Sequence, residues 1–317
     1  MSTPASTPAS GASSASVSPD VPQRSVRGAA MRGTVARPGH EAVAVKGWLR
    51  AHKWLLARRA SQLGILALFL IGPWLGIWIV KGNLTSSLTL GVLPLTDPFV
   101  LSQSLAAGIL PYKEALLGAG IVLAFYLLVG GRVFCSWVCP VNLVTDAAAW
   151  LRRRLGLKGG KAPDASLRYW LLGLVMVASL VTGTLAWEWV NPVSMFHRGL
   201  IFGFGLAWGL VVGVFLYDLL IASRGWCGHV CPMGAFYGLL GRTAVLRVSA
   251  DARGRCNDCM DCFAVCPEPQ VIRPALKAVG QRHPLILDQD CTTCGRCVDV
   301  CGKDVFRITT RFDRSES

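Results

Sequence analysis

Charge is scarce in this chain. Only 16% of its 317 residues are Asp, Glu, Lys or Arg, against 52% apolar residues, and the mean hydropathy is +0.46. A soluble domain carries about 25% charged residues, so the balance points to a membrane protein. Other features are missing as well. The sequence holds no nucleophile–base set, no phosphate loop and no dinucleotide fingerprint, and the glycines at 205, 209 and 213 are too regular to make one. No apolar run precedes Leu55, so the N-terminal stretch lacks the apolar core of a signal peptide and is expected to be retained. No cysteine stands apart either. All twelve fall into four short clusters, which excludes the scattered framework of a disulfide-stapled secreted domain.

The net charge of +14 invites a nucleic-acid reading, which its distribution argues against. From Asp251 to Ser317 ten basic residues meet ten acidic ones, so the surplus lies upstream. There it flanks apolar runs, where basic residues set orientation. No nucleic-acid-binding motif accompanies it, and no nucleic-acid partner is expected.

Three domains are expected. Residues 1–50, basic and rich in Ser, Ala, Pro and Gly at the start, read as a disordered tail. Residues 51–245 read as a membrane domain, mainly α, with four transmembrane helices at about 60–80, 115–129, 170–187 and 200–222. Residues 99–110 are too short and polar to span, and are expected to lie at the interface or re-enter. Residues 246–317 read as a small α+β ferredoxin-like domain of the bacterial 2[4Fe–4S] type. Nine Lys/Arg precede the first span and seven fall within 131–168, but only two within 81–113 and one, Arg198, after the third span. By the positive-inside rule both termini and the iron–sulfur domain face the cytoplasm of a multi-pass protein of the bacterial inner membrane, where lipid is the first partner. Trp187 and Trp189 then read as interfacial anchors at the opposite face. Gly205, Gly209 and Gly213 read as a face that admits a close helix neighbour.

The strongest chemical signal is Cys256-x2-Cys259-x2-Cys262-x3-Cys266-Pro267, followed by Cys291-x2-Cys294-x2-Cys297-x3-Cys301. This spacing wraps three thiolates around one cubane while the fourth ligates the other. Cys256, Cys259, Cys262 and Cys301 are therefore assigned to one [4Fe–4S] cluster, and Cys291, Cys294, Cys297 and Cys266 to the second. Thiolates also suit zinc, but the doubled pattern is far more specific than a CxxC pair.

An internal repeat carries the other four cysteines. GRVFCSWVCP, from Gly131 to Pro140, parallels SRGWCGHVCP, from Ser223 to Pro232, and each copy directly follows a span. On a helix, cysteines at i and i+4 share a face, and the proline then ends the helix. If the copies meet, Cys135, Cys139, Cys227 and Cys231 form a four-thiol site near the membrane surface. It would hold a third cluster, another metal or a redox-active dithiol; buried structural thiols are the plainer alternative. His229 is a possible extra ligand. For quinol chemistry the candidate proton acceptors are Glu188, His197 and Asp218, since ionisable groups at membrane depth are functional by default.

The stretch GWCGHVCPMGAFYG from Gly225, with NPVSMFH from Asn191 and the two ferredoxin motifs, resembles the NapH family, the membrane-bound ferredoxin-type components of periplasmic nitrate reductase systems. Methylamine-utilisation ferredoxin-type proteins are close relatives of that family. The resemblance covers roughly residues 50–310. It implies an iron–sulfur subunit of a quinol dehydrogenase that takes electrons from quinol. It would pass them, with a NapG-like iron–sulfur protein and a c-type cytochrome, towards nitrate reductase. Two features depart from the family pattern: the long N-terminal tail, and Gly302 where a proline usually follows the last cysteine. Two other roles compete. In one, the chain is a metal-handling or assembly polyferredoxin that reduces copper at the four-thiol site. In the other, it is a scaffold that docks the remaining subunits.

Overall fold

The computed structural model describes residues 38–157, 160, 162–203, 205, 207–278 and 283–313. Two short helices come first, α1 (His40–Lys46) and α2 (Trp48–Ala51). They lie against the last cysteine motif: Lys46 Nζ donates to the Val298 carbonyl (3.3 Å) and Lys303 pairs with Glu41 (2.9 Å). The expected disordered tail of residues 1–50 is therefore corrected at its end, which is helical and docked. The rest of that expectation, on residues 1–37, lies outside the described residues. The same contact explains Gly302. A Cβ there would come within 2.9 Å of the Glu41 side chain, so a larger residue would displace α1.

Next comes α3 (Lys53–Leu75). Its own N-cap, His52, supplies no side-chain bond. Asp299, 244 residues further on, supplies it instead, accepting from the backbone N–H of Trp54 (3.1 Å) and of Leu55 (2.9 Å). That carboxylate satisfies two orphan donors where the helix dipole is positive. An antiparallel meander follows: β1 (Val80–Gly82), β2 (Ser86–Thr89) and β3 (Leu93–Thr96), with Val80 opposite Thr89 and Ser87 opposite Leu95. After it come α4 (Pro98–Ala106) and α5 (Lys113–Val129).

The chain then makes a π turn at Phe134–Val138 and continues through α6 (Val141–Arg154), α7 (Leu167–Thr182) and a 3₁₀ turn at Ala186–Trp189. Helix α8 (Pro192–Phe202) leads to α9 (Ala207–Leu216), two more π turns at Tyr217–Ile221 and Trp226–Val230, and α10 (Pro232–Leu240).

The last part of the chain is the ferredoxin-like domain. A three-stranded antiparallel sheet in the order β5 (Leu285–Ile286), β4 (Leu246–Ser249), β6 (Arg307–Thr310) packs with α11 (Asp261–Val265), α12 (Ile272–Lys277) and α13 (Arg296–Val300). Val248, Ile272, Ile286 and Phe306 form its core, with six of its cysteines packed at the margin or inside. The first strand of this sheet begins at Leu246.

Among the described residues only α3 is long and apolar enough to cross a membrane unaided. Of the four spans expected, the other three correspond to shorter apolar helices among the described residues. Helix α5 has 17 residues and α7 has 16, and the apolar run of α9 continues to Ile221 only by changing to a π turn. At 1.5 Å per residue α5 is about 25 Å long, short of a hydrocarbon core of about 30 Å. The apolar periodicity extends further than the regular helix because the flanking residues enter turns instead. The glycine face stands open: a Cβ at Gly205, Gly209 or Gly213 would meet nothing within 4 Å, so among the described residues no helix packs closely there.

The duplication is more extensive than the cysteine motifs. Asp97 caps α4 by accepting from Phe99 N–H (2.8 Å), with Pro98 in the first turn. Asn191 caps α8 by accepting from Val193 N–H (3.0 Å), with Pro192 in the first turn. In each copy this capped helix precedes an apolar helix, a π turn carrying the cysteines, and a helix that starts beside the motif's proline. The one-residue difference between Asp and Asn at equivalent places hides the relationship in the sequence.

Candidate redox centres

Both C-x3-C-P motifs adopt the same conformation, and it is not the expected α-helix. Cys139 N–H donates to Phe134 O and Cys231 N–H donates to Trp226 O, each at 2.9 Å, closing i→i+5 rings. Such π turns concentrate at functional sites. Proline at 140 and 232 has no N–H to extend the ladder, so each turn stops at its second cysteine.

The two copies meet. Cys135, Cys139, Cys227 and Cys231 line one cavity, walled by Phe134 and Trp226 from the motifs and by Trp187 and Asn191 from the connection after α7. The four-thiol site expected from the repeat is therefore assembled by the fold. Burial pushes all four thiols up, Cys231 to about 12, while the Arg132 guanidinium beside Cys135 opposes the shift there. Four unpaired buried thiolates would repel one another, so the ligated state needs a cationic centre.

The assignments around it need revision. Trp187 is 5% exposed and lines the cavity, so it is no interfacial anchor; Trp189, 73% exposed, retains that reading. His229 does not line the cavity. Asp218 is fully buried, and its carboxylate accepts from Trp226 N–H (2.9 Å), which fixes the start of the π turn at Trp226–Val230. His197 stacks edge-on against Phe69 while its Nε2 is buried without a hydrogen-bond partner among the described residues, and Glu188 accepts from Asn191 and Ser194.

In the ferredoxin domain, Cys256, Cys259, Cys262 and Cys301 line a single cavity, the grouping assigned from spacing. Cys266, Cys291, Cys294 and Cys297 lie near one another as a second group, with Cys262 of the first group also close to Cys297. Among the described residues no three His, Cys, Asp or Glu groups close on a single ion. A cubane holds its thiolates further apart than one zinc with Zn–S bonds of about 2.3 Å, so open rings of thiols fit iron–sulfur clusters. Cys256, Cys259, Cys262 and Cys301 would hold one cluster and Cys291, Cys294, Cys297 and Cys266 the other. Non-glycine residues at positive φ, Asp258, Met260 and Thr293, turn the loops around their cysteines.

The sequence did not reveal what joins these centres. Arg132, three residues before Cys135, is 1% exposed. Its Nη1 donates to Glu268 Oε1 (2.8 Å) and to the Asp290 carbonyl (3.0 Å), and its Nη2 to the Cys227 carbonyl (3.1 Å). Arg168, equally buried, donates to Gly228 O (2.9 Å) and Asp290 Oδ2 (2.6 Å) and pairs with Glu268 (3.3 Å). Arg224, the repeat's counterpart of Arg132, joins Arg59 and Arg296 around Asp146 and donates to Val265 O (2.5 Å). Direct bonds add to this. Ser136 Oγ donates to Thr292 O (2.8 Å), and Trp137 Nε1 to Thr293 O (3.3 Å), inside the Cys291–Cys294 loop. The arginine three positions before the first cysteine of both copies was the available signal.

Fold and cysteine geometry together define a ferredoxin-type iron–sulfur electron-transfer protein. The comparisons agree. A 4Fe–4S binding domain matches residues 114–158, and 4Fe–4S dicluster domains match residues 224–272 and 255–305. The chain is 52% identical to the ferredoxin-type protein NapH of Escherichia coli over 275 residues, covering 86% of this chain and 95% of that one. It is 50% identical to NapH of Haemophilus influenzae over 85% of this chain and 94% of that one. It is 54% identical to the methylamine utilization ferredoxin-type protein MauN of Paracoccus denitrificans over 86% of this chain and 96% of that one. No solved structure matches the chain. The chain belongs to the NapH family of ferredoxin-type proteins.

Proposed function

We propose that this chain is the membrane-bound electron-transfer subunit of a quinol dehydrogenase. It takes electrons from quinol and relays them towards a periplasmic nitrate reductase through a NapG-like iron–sulfur protein and a c-type cytochrome. The observation that carries the relay is the seam of hydrogen bonds from the first C-x3-C-P motif to the Cys291–Cys294 loop. It ranks the sites: the four-thiol cavity lies beside the group of Cys266, Cys291, Cys294 and Cys297, and the Cys256 group, whose Cys259 is exposed, lies at the surface. Bound clusters supply one-electron storage, and the chain supplies order, burial and charge around them.

Membrane residence is supported by apolar side chains left outward, among them Leu117 and Phe125 on α5, Leu174 and Val181 on α7, and Leu220 and Ile221 after α9. Exposed apolar surface on this scale marks contact with lipid or protein. In the proposed inner-membrane topology, with four crossings and both termini cytoplasmic, the cavity draws walls from both sides of the bilayer. The motifs come from the ferredoxin side, and Trp187 and Asn191 follow α7 on the other. That arrangement suits transfer between cytoplasmic clusters and a periplasmic acceptor. Relatives named for methylamine utilisation are as similar as those named NapH, so the same relay also suits a methylamine-oxidising system.

Anaerobic purification in detergent, iron and sulfide analysis, and EPR with a quinol analogue test the proposal. About eight irons per chain correspond to two [4Fe–4S] clusters, and about twelve to a third at the four-thiol cavity. Quinol-dependent reduction of the clusters is expected. Loaded clusters that quinol never reduces would sink direct quinol oxidation by this subunit.

A further inference from the structure

The residues around the four-thiol cavity include one buried carboxyl group that the relay does not use. Asp97, at the start of α4, is 5% exposed. Its Oδ1 accepts from Phe99 N–H (2.8 Å) and from the phenol of Tyr237 (2.9 Å), and its Oδ2 has no hydrogen-bond partner among the described residues. Tyr237, on α10, is 1% exposed, and its ring stacks on Phe134 with centroids 4.9 Å apart and planes 16° apart. Phe134 lines the cavity and directly precedes Cys135, whose charge interacts with Tyr237. Asp97, Tyr237 and Phe134, all buried, thus form a column that ends at the half-buried Cys135.

The cap itself does not require an acid. The duplicate position is Asn191, which caps α8 through the same side-chain oxygen. An amide suffices there, so the charge at Asp97 is an added property of one arm of the cavity. Groups facing Asp97 are Tyr237 from α10, Tyr126 from α5 and Glu188 from the turn after α7; neither tyrosine supplies a positive charge. Burial, reinforced by Glu188, holds the Asp97 carboxyl at about 6.

We propose that Asp97, positioned by Tyr237, takes up a proton when the four-cysteine centre gains an electron. This rests on the relay reading of that cavity. The electron comes from a membrane hydroquinone, or from dithionite in the test, and adds one negative charge to the centre. A proton from water forms one O–H bond at Asp97 Oδ2, so charge in the column stays constant. On reoxidation the electron leaves and Asp97 returns the proton to water. Asp97 is a positioning residue for charge, and it does not ligate the centre.

The test uses the full cluster-loaded chain in detergent. Potentiometry of the signal that Cys135→Ser/Cys227→Ser removes is followed from pH 6 upward, and infrared difference spectra are recorded on reduction. In the unsubstituted chain the midpoint potential is expected to fall with rising pH at one proton per electron, and a protonated-carboxyl band to appear. Asp97→Asn, which copies the duplicate's own cap, should flatten the slope and remove the band. Tyr237→Phe keeps the ring stack but loses a donor to the carboxylate, so the sloping region should move to higher pH. A signal lost in the double cysteine variant yet independent of pH, or a slope unchanged in Asp97→Asn, overturns the proton coupling while the relay stands. If the double cysteine variant loses no redox signal, the relay reading of the cavity and this proposal both fail.

Discussion

Arg132 reaches Glu268 across the seam between the helical region and the ferredoxin domain, the two charged groups meeting at 2.8 Å with both side chains at most 2% exposed. Glu268 also faces Arg168, and Asp290 balances the second arginine. Two carboxylates, Glu268 and Asp290, let two buried guanidiniums stand beside the cysteine centres without a net positive charge.

Glu268→Ala should therefore cost far more than the loss of one surface pair. Two buried guanidiniums would lose a partner, a change worth roughly 3–5 kcal/mol. The check is thermal unfolding in detergent, where a fall of less than about 1 kcal/mol would show that water reaches the seam.

Ser136→Ala removes the hydroxyl that donates to Thr292 O. About 1 kcal/mol of stability should be lost, with the Thr292 carbonyl left buried. Stopped-flow reduction by a quinol analogue should show slower filling of the clusters, and equilibrium potentials should hardly move. An unchanged rate would mean that electrons enter by another contact.

Asp97 makes stability depend on pH. Its carboxyl is held at about 6 against an ordinary value of 3.8, so the folded state binds the proton more tightly than the unfolded state. Its contribution is greatest below about pH 4, falls as pH rises towards 6, and is level above that. Asp97→Asn should remove this decline and raise stability at pH 8 by on the order of 2 kcal/mol. Thermal melts at pH 5 and pH 8 give the answer; a variant that loses stability at both pH values would falsify it.

Gly131→Ala probes the crossing between the first motif and α10. A Cβ at 131 would stand 1.8 Å from the Tyr237 carbonyl oxygen, which belongs to backbone and has no rotamer to change. A loss of about 1–3 kcal/mol is expected, together with a disturbed spectrum of whatever the four cysteines bind. Normal stability and spectra would mean that α10 shifts freely.

The eight ferredoxin cysteines were legible because ligand spacing survives in linear sequence: Cys256, Cys259, Cys262 and the distant Cys301 line one cavity as their spacing requires. The meeting of Cys135 and Cys139 with Cys227 and Cys231 was also legible, since the repeat carried it. Asp97 was not, because its match to Asn191 lies in an N-cap role rather than in identity. Trp187 was misread because tryptophan after an apolar run suits an interface as well as a cavity wall. Arg132, Arg168 and Glu268 were hidden for another reason. Each is an ordinary surface residue type, and only the fold shows that they are buried together. Helix ends were the weakest reading, since hydropathy carries no information on where a helix changes into a π turn.

The Asp299 cap on α3 has a consequence for biosynthesis. The ribosome makes Trp54 and Leu55 long before Asp299, so α3 must wait with these two N–H groups uncapped until the ferredoxin-like domain emerges. Asp299 lies on α13, between Cys297 and Cys301. Capping of α3 is thereby tied to the folding of the ferredoxin-like domain, and a chain whose last domain fails to fold would carry the defect at its opposite end as well.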